Sequence, residues 1–216
     1  MALTAKKSGQ MFDPVSQGLH HAICYAVYDL GTQYNEKFSK YVRKILIGWE
    51  IPSERIMVER DNEKVDLPRA ISKSYTNSLH EKAQLRKDLE SWRGRAFSEH
   101  ELEGFDILKL LGANCMIQVI HKKKDDKVYA NVANIVSLPK GMERKEPENP
   151  NKWFSFEEGM DIPEHTPQWI IDIIKASQEW QTSQGGGMPE QDEPPVDTSS
   201  FPFDGIGHVP DEDIPF

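Results

Sequence analysis

Two long runs rich in β-branched and aromatic residues, set between His20 and Ile51, limit this chain more than any other feature. In the first, from His20 to Gln33, Ile23, Tyr25 and Val27 alternate with Cys24, Ala26 and Tyr28 before a turn-like Asp29-Leu30-Gly31. The second, from Tyr41 to Ile51, carries Val42, Ile45, Ile47, Trp49 and Ile51 and is followed by Pro52. Branched and aromatic side chains fit a pleated surface better than a helix, so both runs predict strands. Asn35, Glu36 and Lys37, between Tyr34 and Phe38, predict a hairpin connection.

Downstream, Ile56 and Val58 suggest the start of a third strand, with the charged stretch Arg60 to Lys64 as its turn. The pattern then becomes helical. Leu79, Leu85 and Leu89 recur at helical spacing up to Gly94, and Ser98 with Glu101 forms a capping-box pattern. Leu102, Phe105, Leu108 and Leu111 then fill one helical face before Gly112, so a helix pair is expected over about 79–112. A second hairpin follows, with Met116 to Ile120 and Val128 to Val132 flanking the polar turn Lys122 to Lys127. Pro139 and Gly141 close this unit.

The resulting division is a flexible N-terminus at 1–17, a main domain at 18–141, an extension at 142–182 and a disordered acidic tail at 183–216. Trp169, Ile170, Ile173 and Ile174 mark one amphipathic helix in the extension. Gly185-Gly186-Gly187, prolines and acids give the tail the composition of an unstructured linker. Strand, strand, weak strand, helical insert and closing hairpin is the order of a five-stranded oligonucleotide/oligosaccharide-binding (OB) barrel, a mainly β (α+β) fold. A small β-sandwich or another α+β domain shares that string.

The formal charge of -9 hides an asymmetry along the chain. Residues 1–140 hold 22 Lys/Arg against 18 Asp/Glu, whereas residues 181–216 hold eight acids and no Lys or Arg. A mildly basic body with an acidic tail suits a binder of polyanions that also engages a basic partner. The chain contains no run of eighteen apolar residues and no secretory leader pattern, so a soluble, cytoplasmic protein without membrane contact is expected. Cys24 and Cys115 lie in apolar runs and form no CxxC or Cys/His cluster, which predicts reduced core thiols and no zinc.

The last six residues, Asp211-Glu212-Asp213-Ile214-Pro215-Phe216, are similar to the acidic tip of bacterial single-stranded-DNA-binding proteins. A Phe ring of this kind enters an apolar pocket, its carboxylate pairs with an arginine, and the upstream acids steer it to a basic rim. The resemblance implies host or viral replication, repair and recombination proteins as partners. A broader resemblance, over residues 18 to about 180, is to phage-encoded OB-fold proteins that bind single-stranded DNA. It is carried by Lys73-Ser74-Tyr75-Thr76, Leu89 to Arg95, Leu110 to Cys115 and Leu138-Pro139-Lys140-Gly141. In a phage protein the location would be the bacterial host cytoplasm, and a homo-oligomer is allowed. The helical insert is much longer than in the bacterial proteins, and a helix follows the barrel, so their tetramer does not carry over.

Unpaired strands need cations along the phosphates and flat rings on which bases stack. Candidates occur in pairs: Arg43 and Lys44 with Trp49, Lys73 with Tyr75, and Trp92 with Arg93 and Arg95. Lys122, Lys123, Lys124 and Lys127 in the second hairpin turn are followed by Tyr129, but Asp125 and Asp126 share the run, so a merely solvated turn competes with phosphate contact. Trp49 has apolar neighbours, so a place in the core competes with one on the surface. Gly94 between two arginines would let backbone approach a phosphate. Without a recognition helix or zinc finger, binding independent of sequence is expected.

Enzyme readings find little footing. Phosphate-loop, dinucleotide and nucleophile-elbow motifs are missing, and no catalytic residue, metal or cofactor is expected. Glu99, Glu101, Glu103 and Asp106 occupy a helix start, where acids favour the dipole. His20 and His21 point to opposite faces of a strand and cannot readily grip one metal. Three functions fit the residues: a coat for single strands, a strand-annealing or recombination protein, and an interaction adaptor that carries the tip without binding DNA.

Overall fold

A computed structural model of the chain describes residues 13–36, 39–60, 63–124 and 127–184. Five antiparallel strands form a curled, open half-barrel: β1 (Gly18–Asn35), β2 (Lys40–Arg60), β3 (Glu63–Thr76), β4 (Asn114–Lys124) and β5 (Lys127–Ser137). They lie side by side in the order β3-β2-β1-β4-β5. The first hairpin joins β1 to β2 as expected, with Tyr34 opposite Tyr41 and Asn35 opposite Lys40.

At 18 and 21 residues, β1 and β2 are far longer than ordinary strands, which average about 5–6 residues. They stay in one sheet because register shifts bend them: between Cys24 and Ala26 and between Asp29 and Gly31 in β1, and between Ile51 and Arg55 in β2. Each such bulge adds local twist, and together they curl the sheet. The last shift also explains why Pro52 does not end β2. Residues 52–54 have no partner on β3, so the proline's missing N–H removes no ladder bond. Ile56 and Val58 therefore belong to β2, opposite Leu67 and Val65 of β3, rather than opening a third strand.

Inside the curl, Cys24, Ile47, Trp49, Ile71, Ile117 and Val132 are each at most 1% exposed. The helical insert supplies the rest of this core. Helix α1 (Gln84–Arg93) buries Leu85, Leu89 and Trp92, and Phe97 and Leu110 follow from the chain after it. It fills the side where β3 and β5 are left without a ladder partner: Ser91 Oγ donates to the Ile135 carbonyl of β5 at 2.6 Å, and Asp88 faces Lys73 and Tyr75 of β3. Helix α2 (Glu99–Glu103) carries the expected capping box, but the apolar face from Leu102 to Leu111 does not continue as one helix. Gly104 is extended, and Asp106 caps a single 3-10 turn at Ile107–Leu110, so only Leu110 of that turn is buried.

The extension wraps the outer face of the sheet. After β5, Asn114 exchanges hydrogen bonds with the backbone of Lys145, and the buried Glu50 carboxylate accepts from the N–H groups of Glu148 and Asn149. Residues 152–154 then form β6, parallel to β1 at Ala26–Tyr28. Because β2 already occupies one edge of β1 there, β6 lies on the other, where β4 pairs only as far as Ile23. Two helices, α3 (Gln168–Lys175) and α4 (Gln178–Ser183), replace the single expected one. The break is at Ser177, whose hydroxyl bonds the Ile174 carbonyl and caps the Trp180 N–H. Ile170, Ile174, Phe154, Tyr28, Leu30 and Leu46 make the second core between extension and sheet. Among the described residues no helix is long and apolar enough to cross a membrane.

Candidate nucleic-acid interface

The residues singled out for base stacking separate into buried and exposed groups. Trp49 is fully buried, and its ring lies 5.8 Å from that of Trp92, itself only 6% exposed, whose Nε1 donates to the Asn114 carbonyl at 3.0 Å. Both indoles are core residues on the concave side, out of reach of a base. Tyr75 is likewise buried, with its hydroxyl on Asp88 Oδ2 at 2.8 Å. Lys73 shares that oxygen at 2.8 Å, while Gln84 donates to Oδ1 at 2.7 Å. The pleat explains this. Ile71, Lys73 and Tyr75 stand opposite Trp49, Ile47 and Ile45, which puts all six side chains on the inner face. This placement corrects the expectation that Trp49, Lys73, Tyr75 and Trp92 form a surface for single strands.

The three arginines are held by acids. Arg43, on β2, bonds Asp29 through both Nε and an Nη at 3.3 and 2.5 Å, and this contact raises the guanidinium further above its ordinary value. Arg93 and Arg95 converge on one carboxylate. Arg95 meets Glu101 at 2.8 and 2.9 Å, and Arg93 meets it from inside, stacked over the rings of Phe97 and Phe105 at 4.3 and 5.1 Å. Glu101 also accepts from the Ser98 N–H. Arg95, this backbone bond and Arg93 hold its carboxyl well below the usual carboxylate range. Gly94 is the left-handed stop of α1, at φ 69°, and that is the structural use of the glycine between the arginines.

Exposed cations remain on the second hairpin. Lys122, Lys123 and Lys127 are exposed, and among the described residues they make no ion pair. The ladder puts Lys122 directly opposite Tyr129 and Lys123 opposite Val128, so Lys122 and the half-buried Tyr129 ring share the outer face. Further along that face Asn134 donates to Gln118 at 3.0 Å, beside the 62% exposed Leu19 of β1. Lys124 pairs through its backbone with Lys127 at the end of β4. Lys44 is half-buried at the far end of β2, opposite Thr76.

One further ring pair, not among the expected stacking residues, lies at the first turn. Tyr34 and Tyr41 flank the first turn, edge to face at 5.2 Å, and Tyr41 is 43% exposed. Two tyrosines at equal distance from a hairpin turn are the signal that identifies them. The tip at Asp211, Glu212, Asp213, Ile214, Pro215 and Phe216 lies outside the described residues.

Among the described residues no group of three or more His, Cys, Asp and Glu is arranged to hold a metal. His20 and His21 are engaged separately, with the Ser16 carbonyl and with Asn114 Oδ1. Both thiols are buried, and burial pushes Cys24 up to about 12. No protein-family model matches this chain, and no curated protein matches it.

Proposed function

We propose that the chain binds single-stranded DNA without regard to sequence, in a non-enzymatic role in replication, recombination or repair. One observation carries the reading: a single hairpin presents Lys122, Lys123 and Lys127, which among the described residues make no ion pair, with Tyr129 on the same face as Lys122. Cations of this kind track phosphates, and a ring beside them offers a base a stacking surface. The strand order β3-β2-β1-β4-β5, with helices between β3 and β4, supports the OB class, in which the loop between the last two strands borders the binding groove. In the same proposal, Asp211 to Phe216 recruits partner proteins by its likeness to the bacterial acidic tip.

The test is anisotropy of a labelled oligo-thymidine against an equivalent duplex, using the full chain. Single strands should bind more tightly. Replacing Lys122, Lys123 and Lys127 by alanine should weaken binding and flatten its dependence on log salt by about two, since each single-strand phosphate contact contributes about 0.7. Tyr129→Ala should cost about tenfold, within the 1–3 kcal/mol of a stacked base. Equal affinity for duplex and single strand would overturn the single-strand proposal, and no affinity for either would leave the adaptor reading in its place.

A further inference from the structure

Strand β6 sends neighbouring side chains in opposite directions. Phe154 enters the outer core at 3% exposure, while Trp153 remains 38% exposed. Beside Trp153 the chain folds back to leave an open cavity of about 350 Å³, lined by Trp153, Ser155, Glu158, Asp161 and Pro163 among others. Lys152 Nζ ties the two ends of the fold-back by donating to the carbonyls of Glu164 and His165 at 3.0 and 2.8 Å, and within it the rings of Phe154 and Phe156 meet at 4.9 Å. The lysine's donors are thus turned onto backbone. Glu158 and Asp161 are exposed and, among the described residues, make no ion pair. From residue 151 to residue 165 the sequence holds Glu157, Glu158, Asp161 and Glu164 against the one cation Lys152.

We propose that this cavity receives an arginine or lysine side chain from a basic segment of a partner protein. The face of an indole attracts a cation, and the two carboxylates at the rim supply the opposite charge. The volume falls in the range of a small-ligand pocket, ample for one guanidinium and its stem. Charge decides between occupants. A nucleobase also fits a flat ring, but its phosphates would approach Glu158 and Asp161 here, the reverse of the lysine hairpin. Residues 185–216 of this chain hold eight acids and no Lys or Arg, so the tail is repelled from the cavity as well. The site is independent of the DNA-binding proposal and stands or fails separately.

The full chain, titrated into fluorescein-labelled hexa-arginine at physiological salt and followed by anisotropy, tests it. Trp153→Ala leaves the net charge unchanged and should raise the dissociation constant roughly five- to tenfold, the worth of a partly desolvated cation on a Trp face. Trp153→Phe should retain most of the affinity, and Glu158→Gln with Asp161→Asn should weaken it as Trp153→Ala does. Circular dichroism of each variant should match that of the parent. Unchanged hexa-arginine binding by Trp153→Ala would mean attraction to overall charge alone and overturn the proposal. So would a loss of oligo-thymidine binding in Trp153→Ala, which would make the ring a base platform. A dimer in sedimentation velocity that Trp153→Ala dissolves would assign the cavity to a second copy and overturn it too.

Discussion

Asp88 accepts from Lys73, Tyr75 and Gln84, and with Lys73 and Asp88 both less than a tenth exposed it anchors α1 against β3. Asp88→Ala leaves the ammonium of Lys73 buried without its counter-charge, and the unfolding free energy in urea should fall by about 3–5 kcal/mol. A loss below about 1 kcal/mol would show that Lys73 finds water instead. Trp92→Ala, which empties a core site, should cost about 3–5 kcal/mol of stability and leave oligo-thymidine affinity of the folded protein unchanged. Tyr129→Ala should do the opposite. Acid reaches the fold through Glu101. Its carboxyl sits below the usual value near 4.3, so its contribution is complete above about pH 4.3 and is lost as pH falls toward the lowered value. Glu101→Gln should therefore be less stable than the parent at pH 7, with the gap narrowing below about pH 4. Urea midpoints from pH 7 to pH 2.5 check this, and a constant gap would refute it. Arg93, Gly94 and Arg95 read as a phosphate site because residue types alone do not reveal where charges end. Glu101, six and eight residues on, neutralises the pair only once α2 folds back on α1.

Among the elements, β1 and α4 meet closely at Gly31. Gly31 sits at φ 69°, and a Cβ there would lie 2.5 Å from Ser177 Cβ and 2.7 Å from Glu179 Oε2. Next to it Glu179 accepts from the N–H and hydroxyl of Thr32, both at 2.7 Å, and these bonds together with the Arg43 charge lower its carboxyl against the opposing effect of burial. Gly31→Ala should cost at least about 2 kcal/mol, combining left-handed strain with displacement of α4. Amide exchange should quicken at residues 178–183 before it does in β2, and uniform quickening would argue against a local join. The two hairpins and the stop at Gly94 were legible because periodicity and turn residues are local signals. Strand β6 was not: three residues carry no period, and the strand exists because β4 leaves the edge of β1 vacant after Ile23. The helical face from Leu102 to Leu111 misled for a related reason, since Gly104 and the Asp106 cap outweigh four well-spaced apolar residues.

Across the whole molecule, charge is sorted by region. The eight carboxylates of residues 185–216 account for all but one of the nine net negative charges, while the exposed Lys122, Lys123 and Lys127 stand together on the β4–β5 hairpin. Deleting residues 185–216 should strengthen oligo-thymidine binding most at low salt, where the Debye length is longest, with the difference fading above about 0.15 M. Equal affinities at low salt would show that the tail does not compete with DNA. The sheet-rich body, its two main hairpins, the helical insert and the charge asymmetry are written in the chain, because each depends on residues adjacent along it. Which rings and cations face solvent depends instead on long-range packing. Trp49 is buried and Tyr129 is not, since the inner or outer side of a pleated strand is set by bulges and by what packs across it, and that packing joins residues far apart in the chain.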